Sequence, residues 1–177
     1  MKLRRMVSLI LAAVVIFGLL SFVSCGEKSD APNGMKLASN EIVDYFFYVP
    51  QEWVADLSAG AVGAYVSSSD PSSVSVMAWN IEDSSVTLDS WWETNVADIE
   101  LVFDNFNLED SSNALLDGMA AKKYVYTASL AEHNYKFIQV SCITRGMIYL
   151  FTYTSAPDVF DTHIEDVDLM IENFKFN

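Results

Sequence analysis

The chain has 177 residues with 24 acidic and 10 basic side chains, which gives a formal net charge of −14. This length is typical of one domain. The charge excludes nucleic acid as a partner, because phosphate binding requires a basic face. A hydrophobic fraction of 51% and an aromatic fraction of 13% exclude a disordered chain.

The first 24 residues have the pattern of a secretory signal. Lys2, Arg4 and Arg5 precede an apolar run over residues 7–20. The run is followed by Phe-Val-Ser-Cys-Gly at residues 22–26. This ending resembles the lipobox of bacterial lipoproteins, which implies that residues 1–24 are removed and that Cys25 carries lipid. The alternative is a retained anchor helix, because residues 6–23 approach the length of a membrane span.

Residues 25–40 predict a flexible tether, since they are rich in Gly, Pro, Ser, Asn and charge and lack periodicity. The expected partner of this end is the membrane, reached through the lipid on Cys25. We expect the protein in the bacterial cell envelope, on the outer face of the cytoplasmic membrane or on the periplasmic side. Cys142 would then be the remaining thiol, and its apolar neighbours favour a buried hydrophobe over a reactive group.

The folded domain is predicted over residues 41–177 and begins with three strands. Residues 44–50 form an aromatic and β-branched run that ends at a proline. Residues 61–67 and 73–79 follow as a hairpin, joined by a turn rich in Ser, Asp and Pro. Trp53 is expected in the loop after the first strand.

A helix is predicted next, because apolar residues recur at steps of three and four from Leu88 to Ile99. Thr87 is the expected N-cap, and Asp89 falls in the first turn, where the helix dipole favours an acid. Four further strands are expected over residues 107–115, 120–129, 135–144 and 147–154. Their predicted connections are Asp117-Gly118, a loop over residues 132–134, and Arg145-Gly146.

A second helix is predicted after Ser155, with Ser155 as N-cap and Pro157 in the first turn. Its apolar stripe joins Phe160, Ile164, Val167, Ile171 and Phe174. The element order β-β-β-α-β-β-β-β-α predicts an α+β fold with a mainly antiparallel sheet of six to seven strands and two main helices. Both faces of the last two strands are apolar, so we expect cover on both faces.

Three segments resemble the PsbP-like domains. They are Phe-Phe-Tyr-Val-Pro-Gln-Glu-Trp at residues 46–53, Leu-Asp-Gly-Met-Ala-Ala-Lys-Lys-Tyr at residues 116–124, and the ending that runs from Thr-Tyr-Thr-Ser to Asn-Phe-Lys-Phe. The resemblance implies the PsbP/Mog-like α/β/α sandwich and places the chain with the uncharacterised bacterial lipoproteins of that family. Residues that bind metals or proteins in plant members have no matching motif here.

Two groups of side chains are candidates for binding. Asp161, Glu165, Asp168 and Glu172 recur at helical steps, which favours a solvated face, with a weak divalent-cation site or a surface for a basic partner as the alternative. Trp53, Trp91 and Trp92 are candidate ligand aromatics, with core packing as the alternative.

Motifs for catalysis are missing from the sequence: it has no phosphate-binding Gly-rich loop, no Gly-x-Ser-x-Gly and no Cys-x-x-Cys. His133 and His163 are the two histidines; His133 is expected in a solvated hairpin loop, and His163 is expected to be partly buried or on the surface of the second helix. The sequence therefore favours a non-catalytic, lipid-anchored accessory or protein-interaction module whose protein partner is unidentified. A carrier of a small hydrophobic ligand in an aromatic pocket is the second hypothesis, and an enzyme or weak cation binder is the third. No cofactor or metal is predicted.

Overall fold

A computed structural model describes residues 31–56 and 62–177, and its main element is a seven-stranded antiparallel sheet. The predicted signal peptide, the lipidated Cys25 and the first part of the tether lie outside the described residues. The strands of this sheet are β4 (Val54–Asp56), β5 (Val62–Tyr65), β6 (Ser73–Asn80), β7 (Asp104–Leu116), β8 (Met119–Leu130), β9 (His133–Thr144) and β10 (Met147–Ser155). Their order across the sheet is β4-β5-β6-β10-β9-β8-β7.

Tight turns join the four long strands from β7 to β10. Asp117-Gly118 and Arg145-Gly146 have positive φ at both residues, as the commonest two-residue hairpins require, and both turns were predicted. The predicted bounds of the loop over residues 132–134 are wrong. His133 pairs with Leu130 and begins β9, because Ala131 adopts a positive φ of 54° and turns the chain within two residues.

The N-terminal part of the domain differs from the prediction. Residues 44–50 form two short strands, β2 (Tyr45–Phe46) and β3 (Tyr48–Pro50), and neither belongs to the main sheet. β3 pairs with β1 (Met35–Leu37), while β2 pairs with β11 (Lys175–Phe176) at the end of the chain. Met35 and Ala38 are buried, so residues 35–40 are part of the domain and the tether ends before them.

The first helix, α1 (Leu88–Val102), begins where the sequence predicts. The Thr87 hydroxyl accepts a hydrogen bond from the Ser90 amide at 3.1 Å, and the Ser90 hydroxyl accepts one from the Thr87 amide. This reciprocal pair satisfies two of the free amides at the helix start. On its inner side, Trp92 stacks on Tyr124 of β8 with ring centroids 3.6 Å apart.

The second helix, α2 (Ile164–Glu172), begins later than predicted and follows a 3₁₀ turn, Phe160–His163. Ser155 does not cap it. Its hydroxyl lies at the end of β10, hydrogen-bonded to the Ser72 hydroxyl at 2.8 Å and to the Ala156 carbonyl. The predicted apolar stripe nevertheless faces inward, because Phe160, Val167 and Phe174 are all buried.

The two faces of the sheet carry separate cores. One face packs Val140, Phe151 and Val76 against α2 and the N-terminal strands, and the other packs Tyr126 and Phe137 against α1. This confirms the α+β sandwich with cover on both faces. Cys142 is fully buried as predicted, and desolvation raises its thiol pKa to about 11. Within residues 31–56 and 62–177, no helix is both long and apolar enough to cross a bilayer.

Candidate binding groove at the sheet edge

A groove lies along the second half of β6, between Val76 and Trp79. The last described pair between β5 and β6 joins Val62 to Val76, and β6 pairs with β10 as far as Asn80. The segment 40–45 lies beside this part of β6 and forms the opposite wall. The cavity volume of this open groove is about 600 Å³. We call this site the edge groove.

The lining of the edge groove is mostly apolar, and part of it is exposed to solvent. Ile42 is 91% exposed, Trp79 is 41% exposed and Met77 is 40% exposed. The lining residues are Asn40, Ile42, Val43, Asp44, Tyr45, Val62, Val76, Met77, Ala78, Trp79 and Met147. Both faces of β6 contribute, since Val76 belongs to the core on one face and Trp79 stands opposite Ile148 on the other.

Local hydrogen bonds fix the wall formed by residues 40–45. The Asn40 side-chain oxygen accepts from the Ile42 amide at 3.0 Å, which turns the chain and projects Ile42 outward. The Asn177 amide donates to the Asp44 carbonyl at 2.8 Å, so the C-terminus holds the other end of the segment. Hydrogen bonds at both ends of this segment therefore hold the turn that carries Ile42.

Asp44 is the one charged side chain among the described lining residues, and a buried tyrosine orients it. The Tyr149 hydroxyl donates to Asp44 Oδ2 at 2.6 Å. Burial and then the Asp44 carboxylate raise the pKa of Tyr149, so the phenol remains a donor at neutral pH. Tyr45 donates to the Val76 carbonyl at 3.2 Å, and desolvation followed by Asp44 raises its pKa to about 12.

None of the three predicted ligand aromatics lines the edge groove. Trp53 is 1% exposed; its indole N–H donates to Asp166 at 3.4 Å and its ring lies edge-on to His163. Trp92 is buried on Tyr124, and Trp91 is half-buried beside the same cluster. In this structure all three take part in packing.

The tryptophan among the described lining residues of the edge groove is Trp79, which was absent from the predicted ligand aromatics. A usable signal was present in the alternation of β6. Val74, Val76 and Ala78 point to one core, so the residues that alternate with them, including Met77 and Trp79, point to the opposite face of the sheet. The missing information was that residues 40–45 lie beside this part of β6.

The predicted acidic face is only partly continuous. Asp161 lies in the 3₁₀ turn, while Glu165 and Glu172 are exposed on α2. Asp168 is half-buried and forms an ion pair with Lys123 at 3.3 Å. In the described parts of the chain, no three His, Cys, Asp or Glu side chains are placed to hold one metal ion.

The two histidines occupy different surroundings. His133 is exposed at the start of β9. His163 is largely buried, with Nε2 2.8 Å from Asp70 Oδ2, and it joins the start of α2 to the turn before β6. Hydrogen bonds from Ser72 and His163 outweigh the effect of burial and lower the pKa of Asp70.

Comparisons with known proteins bear on the fold. No family model and no curated protein matches the sequence. Among solved structures, PsbP (CyanoP) of Synechocystis sp. PCC 6803 superimposes with a TM-score of 0.62 and 18% identity, covering 88% of this chain and 99% of that one. LpqN of Mycobacterium tuberculosis, which is involved in cell envelope biogenesis, superimposes with a TM-score of 0.56 and 14% identity. The match covers 75% of this chain and 83% of that one.

A third solved structure is PA94 of Pseudomonas aeruginosa, a protein of unknown function. Its TM-score is 0.52 and its identity 14%, covering 78% of this chain and 94% of that chain. At these identities the likeness concerns the fold. It confirms the fold that the three sequence segments implied: the chain has the PsbP-like fold.

Proposed function

We propose that the chain is a lipid-anchored, extracytoplasmic protein-interaction module without catalytic activity, and that the edge groove is its contact surface. The observation that carries this proposal is that three large apolar side chains of the groove segments, Ile42, Met77 and Trp79, are exposed to solvent. Apolar side chains grouped on a soluble surface are characteristic of interaction sites. Aromatic residues and methionine are also enriched in protein interfaces.

The anchoring part of the proposal is supported by the sequence. The basic start, the apolar run and Ser24-Cys25 have the order of a lipoprotein signal. Two or more acyl chains on Cys25 would hold the protein durably on a bilayer. The involvement of LpqN in cell envelope biogenesis agrees with a location in the envelope, although that statement concerns LpqN itself.

Mass spectrometry of protein extracted from membranes tests the anchor. We expect a mature N-terminus at Cys25 that carries a diacylglyceryl group. The Cys25→Ala variant should keep its signal sequence and lack the lipid, because the modified sulfur is absent. A mature wild-type chain with an unmodified Cys25, or one that retains residues 1–24, would contradict lipid anchoring.

Alanine substitutions in the native envelope test the contact surface. Solubilised wild-type protein should migrate on native gels as a complex larger than the chain alone. Met77→Ala and Trp79→Ala should dissociate that complex. Met119→Ala is the matched control, because Met119 is 41% exposed at the β7–β8 turn, away from the groove, whereas Met77 is 40% exposed. A complex that survives both groove substitutions would contradict the proposal.

A carrier of a small hydrophobic ligand is the second candidate, and the groove volume favours it. The volume of about 600 Å³ is within the range of small-molecule pockets. This function predicts that gently purified protein retains a stoichiometric organic molecule, detectable by native mass spectrometry. It also predicts that Trp79→Ala releases this molecule without the loss of a protein partner.

A further inference from the structure

A turn directly before β1 carries an asparagine followed by a glycine. The Met35 amide donates to the Pro32 carbonyl at 3.0 Å, and Gly34 has a φ of +80°. This is the pattern of a type II turn, which favours glycine at its third position. Asn33 and Gly34 are both exposed, whereas Met35, the next residue, is buried. The turn therefore joins a solvated dipeptide to the core of the domain.

An asparagine that precedes a glycine is able to lose ammonia without an enzyme. The glycine nitrogen attacks the side-chain carbonyl carbon of the asparagine, and a new C–N bond closes a five-membered succinimide ring. The bond from that carbon to the side-chain nitrogen breaks, and this nitrogen leaves as ammonia with the proton from the glycine N–H. Water then opens the ring at one of its two carbonyl carbons. The product is aspartate or isoaspartate, in which the main chain runs through the side-chain carbons.

The structure leaves both reacting groups of this dipeptide free. Within residues 31–56 and 62–177, neither the Asn33 carboxamide nor the Gly34 N–H has a hydrogen-bond partner. Closing the ring requires rotation about the Cα–C bond of Asn33, which breaks the single bond from Met35 to Pro32. A Cβ atom built at Gly34 would meet nothing within 4 Å, so the space beside the attacking nitrogen is open. Glycine also has no side chain to obstruct its own nitrogen.

The related dipeptide Asp117-Gly118 is protected from the same ring closure. Lys175 donates to Asp117 Oδ1 at 2.9 Å, and the Phe176 amide donates to Asp117 Oδ2 at 2.9 Å, so both oxygens are held away from the following nitrogen. Every other described asparagine that is followed by a residue precedes one larger than glycine. Among the described residues, the sequence and the contacts therefore single out Asn33.

We propose that Asn33 is a site of spontaneous deamidation, with water as the second reactant, and that its conversion to isoaspartate loosens β1 from the domain. Isoaspartate adds a carbon atom to the main chain and a negative charge to the turn. The next two carbonyl groups anchor β1 to Gln51. Its amide donates to the Gly34 carbonyl at 3.1 Å, and its side chain donates to the Met35 carbonyl at 2.7 Å. The longer main chain displaces these two acceptors first.

Mass spectrometry after incubation in ¹⁸O-labelled water tests the modification. The full chain in phosphatidylcholine nanodiscs is kept in mildly alkaline buffer and then digested with trypsin in ordinary water. Cleavage after Lys28 and Lys36 gives a peptide in which Asn33 is the only asparagine. We expect ¹⁸O at residue 33, mainly as isoaspartate, before any other described asparagine is labelled. Asn33→Gln is the matched control and should stay unlabelled, because the longer carboxamide would have to close a less favourable six-membered ring.

Amide hydrogen exchange of the aged protein tests the effect on β1. In the isoaspartyl fraction, protection of the Gln51 amide should fall roughly fivefold, because its bond to the Gly34 carbonyl is lost. Protection in β9 should not change. Asn33→Asp carries the charge without the added main-chain atom, so it should keep the wild-type protection and separates the two effects.

Each outcome bears on one part of the inference. Label at other described asparagines while residue 33 remains unlabelled would overturn the modification site. Isoaspartate at residue 33 with unchanged protection of the Gln51 amide would overturn the loosening of β1. Equal loss of protection in Asn33→Asp would also contradict the account, because charge and not chain length would then be the cause.

Discussion

Ser141, in the middle of β9, carries a hydroxyl that is fully buried and has no hydrogen-bond partner among the described residues. Burying an unpaired hydroxyl is unfavourable by about 1–3 kcal/mol. We therefore expect Ser141→Ala to leave the free energy of unfolding unchanged or to raise it by about 1 kcal/mol.

Urea unfolding measures this difference, and Ser72→Ala is the matched control. Ser72 is also buried, but its hydroxyl is hydrogen-bonded to Ser155 at 2.8 Å. The free energy of unfolding of Ser72→Ala should fall by about 1 kcal/mol. If Ser141→Ala were destabilised as much as Ser72→Ala, an internal water or another partner must satisfy the Ser141 hydroxyl.

Asp70 makes the stability of the fold depend on acidity. Its pKa is lowered because hydrogen bonds from Ser72 and His163 outweigh desolvation. A lowered folded-state pKa stabilises the fold above the unfolded value of about 3.9 and loses this contribution as the pH falls through the lower folded value. Between about pH 5 and pH 3, the difference in unfolding midpoint between wild type and Asp70→Asn should therefore shrink. A difference that stays constant over this range would show that ionised Asp70 contributes nothing specific.

The contact between β5 and β6 depends on one glycine. A Cβ atom at Gly63 would lie 2.9 Å from the Val74 carbonyl oxygen, closer than such atoms approach. We expect Gly63→Ala to destabilise the fold by roughly 1–3 kcal/mol, because β5 must move away from β6. The neighbouring Val62 lines the edge groove, so this variant should also weaken binding at the groove.

A different glycine separates this steric effect from backbone strain. Gly118 has a φ of +74° and nothing within 4 Å of an added Cβ. Gly118→Ala should therefore lower the free energy of unfolding by about 1 kcal/mol through backbone strain, and it should leave the groove unaffected. Wild-type stability in Gly63→Ala, measured by urea unfolding, would mean that β5 tolerates displacement at this edge.

Elements with local signals were predictable, and elements that depend on distant pairing were not. The cap at Thr87 and the Asp117-Gly118 turn are encoded within a few residues, and both are confirmed. Residues 44–50 were predicted as one strand because their composition is uniform. The break at Phe47 arises because its amide and carbonyl bond to Ser39 and Ala38, while its two sides pair with separate distant strands.

The start of α2 illustrates a local signal that tertiary contacts override. Ser155, Pro157 and Asp158 have the composition of a helix N-terminus. The Ser155 hydroxyl instead bonds to Ser72 from another part of the sheet, and the Tyr153 hydroxyl donates to the Phe160 carbonyl at 3.0 Å. These contacts hold the connection as a turn before the helix begins.

At the scale of the whole molecule, the sequence predicted the architecture better than the site. Alternation and periodicity determine which residues are buried, so the two-faced sheet and both apolar helix stripes could be derived. The edge groove is formed where residues 40–45 lie beside the second half of β6. That juxtaposition joins segments distant in the chain, and no local pattern records it.

The central claim is that the edge groove is the contact surface of the protein in its native envelope. Site-specific photo-crosslinking in intact cells tests it most directly, with the photoreactive residue placed at Ile42, which is 91% exposed in the groove wall. The control position is Leu101 near the end of α1, which is 84% exposed and away from the groove. We predict a single defined protein adduct from position 42, lost when Trp79→Ala is added, and none from position 101. Equal adducts from both positions, or an adduct at position 42 that survives Trp79→Ala, would contradict the account.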